Sequence, residues 1–313
     1  MTEAPPETSP EDGPNAGADL HAPAPTALWT RARAIPAGLH LIATPIGAAR
    51  DITLRALDIL AGADVLAAED TRTLRHLMEI HGIPLGGRAL ISYHEHNDAE
   101  AGPRLLRALA DGRSVAYASE AGTPLVADPG YQLARDAIAA GNTVLSAPGP
   151  SAVLAALTVS GLPTDRFLFA GFAPAAAGAR GNWLADLAEI KATIVIYESP
   201  KRVGKLLGEM VQSFGKDRRA AVCRELTKRF EEVKRGTLAE LADDFSGKAV
   251  KGEIVLVIDR PAAVVVDAAT VEAALLAALG SGPVKEVAAR LAGQFGLSRR
   301  EVYQMALRLE GKD

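Results

Sequence analysis

Short apolar runs that stop at glycine- and proline-rich turns alternate with amphipathic stretches along most of this chain. LHLIAT begins at Leu39 and breaks at Pro45, after which Ile52, Leu54, Leu57 and Leu60 recur at helical spacing. DVLAAED predicts a second strand running into Thr71, and LISYHEHN, SVAYASEAGTP and NTVLSAPGPS predict three more. Asp111-Gly112 marks the turn before SVAYASEAGTP, and YQLARDAIAAG supplies a helix before NTVLSAPGPS. Strands alternating with helices at this spacing predict an α/β layer with several parallel strands. Ligands of such sheets bind at the carboxyl ends of the strands, where the short polar motifs fall.

The pattern changes after about Leu162. FLFAGF, ATIVIYES, RAAVCREL, EEVKRGTL and GEIVLVID are candidate strands, and RVGKLLGEMVQSFG is a helix between two of them. EEVKRGTL alternates more than the others, which predicts a mixed sheet. Pro261 closes this region, a short apolar linker follows, and Thr270–Leu309 reads as a small helical appendage. Two of its helices meet near Gly296, with a core from Val287, Leu291, Phe295, Leu297, Val302 and Leu307, and with Ser298 as the cap of the second. The expected organisation is a tail over 1–38, a first α/β domain over 39–160, a second over 161–262 and a helical extension over 263–313.

Composition changes the picture at the chain's start. Seven of the 19 prolines lie in Met1–Ala37, and the first twenty residues hold five acids and no lysine or arginine, which predicts a disordered tail. The same acids and prolines stand where a signal peptide needs basic residues and an apolar run, and no apolar stretch is long enough to span a bilayer. A cytoplasmic location without membrane attachment is expected. The single cysteine, Cys223, excludes an intrachain disulfide and any cysteine-cluster metal site, and its apolar run makes it a buried strand residue. Net charge is −4, yet Lys216–Arg235 holds eight basic residues against four acids. That interval is either an RNA-phosphate surface or an ordinary salt-bridged one.

Three turns follow three of the strands. In Thr44–Asp51, Gly47 permits a tight turn or the close approach of a ligand. Ser119-Glu120-Ala121-Gly122-Thr123-Pro124, with Asp128-Pro129-Gly130 close behind, offers backbone groups to an adenosine or a carboxylate, with an acid available to accept a hydrogen bond. Pro148-Gly149-Pro150-Ser151 is rigid, and Ser151 stands where it caps the next helix. Together they point to a pocket more strongly than any one does. Glu69-Asp70-Thr71-Arg72 suits helix capping or ion pairing as well as catalysis. His94, Glu95 and His96 invite a metal assignment, but a third spaced ligand and HExxH are both missing, so no metal is expected. GxGxxG, the Walker loop and GxSxG are absent too, leaving nucleotide and Ser-His-acid readings unsupported.

ATPIGAARDITLRAL, AAEDTRT, LISYHEHN, SEAGTPLVADPGY, PGPSA, SGLPTDRFLFAGF, YESPKR, RELTK and the EEVKRGTL segment together resemble the ribosomal RNA small subunit methyltransferase I family, within the tetrapyrrole methylase superfamily. The resemblance covers about Leu39–Asp259, and the tail from Thr270 resembles that family's helical extension. It implies a bilobal α/β fold, tetrapyrrole-methylase-like, with a mostly parallel N-terminal sheet, a mixed C-terminal sheet and a small helical C-terminal extension. It further implies S-adenosylmethionine between the lobes, a homodimer, and 2'-O-methylation of a cytidine in the decoding region of 16S rRNA in the small ribosomal subunit. By motif, Pro45 and Gly47, then Glu120, Ala121, Gly122 and Thr123, then Pro148, Gly149, Pro150 and Ser151 would face the cofactor. Tyr197, Glu198, Glu225, Leu226 and Thr227 would close the cleft from the second lobe. Lys201, Arg202, Arg224, Lys228, Arg229, Arg299 and Arg300 are the expected RNA contacts. Glu69, His94 and Glu120, at strand ends, are the candidate proton acceptors. Ala48 replaces the family's usual asparagine and Glu120 its usual aspartate. The alternatives are methylation of a tetrapyrrole or other small molecule, and a non-catalytic RNA-binding protein.

Overall fold

In the computed structural model, which describes residues 34–262 and 267–311, the N-terminal apolar runs form one sheet. Its strands are β1 (Gly38–Ile42), β2 (Val65–Ala68), β3 (Ala89–Ser92), β4 (Ser114–Ala118) and β5 (Val144–Ala147). Their order is β3-β2-β4-β1-β5, and every pairing is parallel. Parallel strands need crossovers. These contain α1 (Leu54–Gly62), α2 (Thr71–Ile80), α3 (Asp98–Ala110) and α4 (Tyr131–Ala139).

β2 and β4 are buried at every residue because helices cover both faces of the sheet, which is why they read as unbroken apolar runs. Leu57, Leu60 and Met78 pack with Leu66 and Ala118 on one face; Leu105 and Leu133 pack with Val65 and Tyr117 on the other. Each large apolar side chain buried in this way contributes about 1.5–3 kcal/mol. Leu54, expected in this core, is instead exposed. Two steps of three residues rotate about 120° around a helix, so Leu54 falls outside the stripe formed by Ala56, Leu57, Ile59 and Leu60.

The second sheet comprises β6 (Phe167–Phe172), β7 (Thr193–Glu198), β8 (Arg219–Arg224), β9 (Glu232–Thr237) and β10 (Ile254–Ile258), in the order β6-β7-β10-β8-β9. Only the β6–β7 pairing is parallel, so the sheet is mixed as the alternation of EEVKRGTL suggests. Cys223 is fully buried within it. Helix α5 (Ala152–Ser160) lays Val153, Ala156 and Leu157 on Val195, Cys223 and Val257. A helix that precedes the residue-160 boundary thus belongs to the core of the second sheet. α6 (Ala177–Ala188), α7 (Val203–Phe214) and α8 (Leu238–Phe245) complete this lobe, and a capping box between Thr237 and Glu240 starts α8.

Both sheets lie in one compact unit, within 34–188 and 192–259; the other unit lies within 189–191 and 260–311. In the latter, α9 (Ala268–Ala278), α10 (Val284–Phe295) and α11 (Arg299–Leu309) close around Val271, Leu275, Val287, Leu291 and Val302. Gly296 ends α10 in the left-handed region, as a helix-terminating glycine does. Two expectations fail here. Ser298 occupies the N-cap position of α11 but its side chain makes no capping bond, and Ala306 and Leu309 fill the core where Leu307 was expected. The expected tail, as far as residue 33, and the linker's residues 263–266 lie outside the described residues. No described helix is long and apolar enough to cross a membrane.

Candidate active site

β1 leads through α1 to β2 on one side of the first sheet, while β4 leads through α4 to β5 on the other. The crossovers therefore diverge between neighbours β1 and β4, and a crevice at their carboxyl ends is where such sheets take ligands. The loops there are stitched together. Thr44 N–H donates to Gly122 O at 2.9 Å and Gly122 N–H donates back to Thr44 O at 3.0 Å. Ser119 Oγ donates to Gly122 O at 2.8 Å, and Thr123 Oγ1 to Pro150 O at 2.9 Å. Three turns that are separate in sequence are one wall.

The opposing wall comes from the loop after β8. Thr227 Oγ1 accepts the Ala48 N–H at 3.1 Å, and a Cβ on Gly47 would stand 2.6 Å from both Thr227 Oγ1 and Lys228 Cγ. Glycine at residue 47 is thus required by the approach of the second lobe. Glu225 and Thr227 hold left-handed backbone, which costs a non-glycine residue on the order of 1–2 kcal/mol. Contacts with the loop before β10 offset that cost. Glu225 Oε1 accepts the Glu253 N–H at 2.9 Å, and Lys228 Nζ reaches Glu225 and Glu253, each at 3.0 Å.

Between the walls lies a cleft of about 460 Å³, within the usual range of small-molecule sites. Ile46, Phe172, Tyr197 and Val255 give it apolar surface; Glu69, Glu120, Asp128, Glu198 and Glu253 surround it with carboxylates, and among the described residues no lysine or arginine lines it. Two of these acids are paired, Glu198 with Arg202 at 3.2 Å and Glu253 with Lys228. Glu69, Glu120 and Asp128 have no ion-pair partner among the described residues. Burial, with the negative charges of Glu69 and Glu120 beside it, pushes the Asp128 carboxyl up to about 7. Burial raises Glu69 as well, and the charge of Glu120 adds to it, against the Glu120 N–H and His94. The described residues hold no cluster of three or more metal-ligating side chains. Uncompensated carboxylates in a half-apolar cleft favour an organic cation.

Beneath this cleft the Tyr117 hydroxyl is buried without a hydrogen-bond partner among the described residues, and burial together with Glu69 and Asp128 drives its acidity far down. An orphaned buried hydroxyl costs about 1–3 kcal/mol. Tyr117→Phe is therefore expected to raise stability by about 1 kcal/mol in chemical denaturation. A lower denaturation midpoint would mean that the hydroxyl is satisfied in solution.

Comparison with known proteins agrees with this geometry. Residues 38–242 match the model of the Tetrapyrrole (Corrin/Porphyrin) Methylases, and residues 265–310 match that of the RsmI C-terminal HTH domain. A ribosomal RNA small subunit methyltransferase I from Mesorhizobium japonicum is 47% identical over 280 residues, 89% of this chain and 94% of that one. Its counterpart from Mycobacterium tuberculosis is 48% identical over 220 residues, 70% of this chain and 76% of that one. The chain belongs to the ribosomal RNA small subunit methyltransferase I family. Its bilobal fold is shared with the methyltransferase CobJ (TM-score 0.57, 18% identity, 74% of this chain and 97% of that one). It is also shared with a cobalt precorrin-4 methyltransferase (TM-score 0.55, 20% identity, 71% of this chain and 94% of that one).

Within this family member, the motif residues divide into those that line the cleft and those that build it. Glu69, Glu120, Ala121, Tyr197 and Glu198 line it. Pro45, Gly47, Gly122 and Thr123 belong to the two stitched loops, Pro148 precedes the rigid turn, and Glu225, Leu226 and Thr227 form the opposing brace. Gly149, Pro150 and Ser151 border a shallower depression that shares Ile46 with the cleft. Ser151 occupies the N-cap of α5 without a side-chain capping bond, whereas Asp70 does cap α2, accepting the Arg72 N–H at 2.8 Å. His94 follows the edge strand β3 and is not among the lining residues.

The expected RNA contacts divide in the same way. Arg202 is turned inward to Glu198 and to the carbonyls of Ala173 and Pro174. Arg224 pairs with Glu232 at 3.0 Å and Lys228 is held by its two acids, so much of the basic interval is internally neutralised. Lys201 and Arg229 are exposed, as are Arg299 and Arg300 in the first turn of α11. Sequence reasoning passed over Phe172, Glu253 and Asp128 as site residues. Glu253 precedes a strand, and only the antiparallel register, with Ile254 opposite Glu198 and Arg224, brings it to the same end of the sheet. Asp128 was visible in the Asp128-Pro129-Gly130 turn, but its burial was not.

Proposed function

We propose that this protein transfers a methyl group from S-adenosylmethionine to the ribose 2'-hydroxyl of a cytidine in the decoding region of 16S rRNA, acting on the small ribosomal subunit as a cytoplasmic homodimer. The observation that carries this reading is the cleft at the carboxyl ends of parallel strands, with three carboxylates that have no ion-pair partner among the described residues. S-adenosylmethionine carries a sulfonium and an ammonium against one carboxylate, a net positive charge, so an anionic, half-apolar cleft fits it. Glu69, Glu120 and Asp128 would balance its positive charge, and Ile46, Phe172 and Tyr197 would cover its apolar surface. When bound, the cofactor supplies a methyl group already activated for transfer. The chain's own work is then to orient the acceptor and relieve it of its proton. Lys201 and Arg229, both exposed, would meet phosphates of the RNA, and Arg299 and Arg300 would offer further charge from the helical unit. Membership of the rRNA methyltransferase family supports RNA as the acceptor over a small molecule.

The test is transfer of labelled methyl from S-adenosylmethionine to unmodified small ribosomal subunits, followed by nucleoside analysis. Labelled 2'-O-methylcytidine is the expected product. Cofactor binding without transfer to intact subunits would shift the assignment to a small-molecule acceptor.

A further inference from the structure

Of the acids expected to act on a proton, none combines burial with freedom from protein partners. Glu120 is exposed. Glu69 is half-buried but faces the Glu120 N–H at 3.4 Å, and His94 does not line the cleft. Asp128, further along the loop after β4, lines the cleft, is half-buried, and has no ion pair or hydrogen bond from the described residues. Its loop is held by left-handed backbone at Leu125, Ala127 and Gly130, conformations that persist only where the surroundings enforce them. The groups bearing on it are Glu69 at the end of β2, Glu120 and Tyr117 on and after β4, and Tyr197 on β7. None is a cation, and the buried Tyr117 hydroxyl has no hydrogen-bond partner among the described residues.

We propose that Asp128 is the catalytic base, accepting the proton of the acceptor hydroxyl, an assignment that rests on the methyltransferase activity proposed above. The acceptor oxygen bonds to the methyl carbon as the carbon–sulfur bond breaks, and that bond's electron pair remains on sulfur as a neutral thioether. The hydroxyl proton passes to the Asp128 carboxylate, so one cation and one carboxylate become two neutral groups. The same burial that pushes Asp128 up to about 7 makes it a stronger base than a solvated carboxylate, about half ionised at neutral pH and increasingly so above it.

The experiment is single-turnover methyl transfer to unmodified small subunits between about pH 5.5 and 9, with cofactor affinity measured by calorimetry, in the parent, Asp128→Asn and Glu69→Gln. The parent rate is expected to rise with pH and level off above about 7. Asp128→Asn should lose on the order of 10²–10⁴-fold in rate at saturating cofactor and lose the pH rise, a loss beyond whatever cofactor affinity the missing charge costs. Glu69→Gln removes a neighbouring negative charge, so the rise should move to lower pH. Undiminished transfer in Asp128→Asn overturns the assignment, and so does a fall in rate that only tracks lost cofactor affinity. If Asp128→Asn does not fold, an unmoved pH profile in Glu69→Gln overturns it instead. A parent protein that binds cofactor yet transfers no methyl to RNA fails the activity reading itself, and the assignment falls with it.

Discussion

Gly130→Ala is expected to destabilise the protein by roughly 2–5 kcal/mol and to weaken S-adenosylmethionine binding tenfold or more. Gly130 stands at the N-cap of α4 with φ 113°, in the region where an L side chain is strained. A Cβ there would lie 2.6 Å from Tyr117 Cε1 and 3.3 Å from Leu125 Cδ1. Tyr117 cannot yield cheaply, because it is fully buried and its ring packs edge-on against Tyr93 with centroids 5.6 Å apart. Left-handed strain contributes about 1–2 kcal/mol and overpacking about 1–3 kcal/mol. The loop is the softer partner, and its displacement carries Asp128 out of the cleft wall. Denaturant unfolding and calorimetric titration with the cofactor measure both effects. An unchanged midpoint would show that the loop relaxes without strain.

Arg202→Met separates a structural arginine from an RNA contact. The Glu198 side chain is 1% exposed, and its carboxylate has Arg202 at 3.2 Å and the Ser199 N–H at 2.7 Å. Removing the cation strands a buried negative charge, which costs about 3–5 kcal/mol, and takes a donor from the Ala173 and Pro174 carbonyls. A drop in melting temperature of several degrees is expected, together with a disordered cleft wall. Arg229→Met, at an exposed site over the Phe230 ring, should leave stability nearly unchanged and lower the salt dependence of RNA binding. The opposite pairing of results would return Arg202 to the RNA-facing surface.

Much of the fold is legible because each strand's environment leaves a pattern in it. β2, β4 and β10 are covered on both faces and read as unbroken apolar runs, while β9 at the sheet edge alternates. Leu54 misled because apolar identity at a helix start does not reveal which way the first turn faces. Leu307 misled in the same way, its neighbours Ala306 and Leu309 taking the inner positions of α11. The three glycine-proline turns were legible as pocket material, since parallel strands send their carboxyl ends to one side. Their union into a single wall depends on the Thr44–Gly122 bridge, a pairing between residues far apart in the chain.

The amino-acid sequence by itself determined the two sheets, the family and the turns that make the cleft, because these follow from local periodicity, backbone restriction and collinear motifs. Tertiary structure alone decided what each charge does. Arg202, Arg224 and Lys228 look alike in the sequence until partners are assigned, and those partners, Glu198, Glu232, Glu225 and Glu253, are set by strand register and loop packing. Asp128 reads as an ordinary turn aspartate until the fold withdraws it from water beside Glu69 and Glu120. A side chain's protonation and availability depend on desolvation and on neighbours in space, and neither quantity exists before the chain has folded.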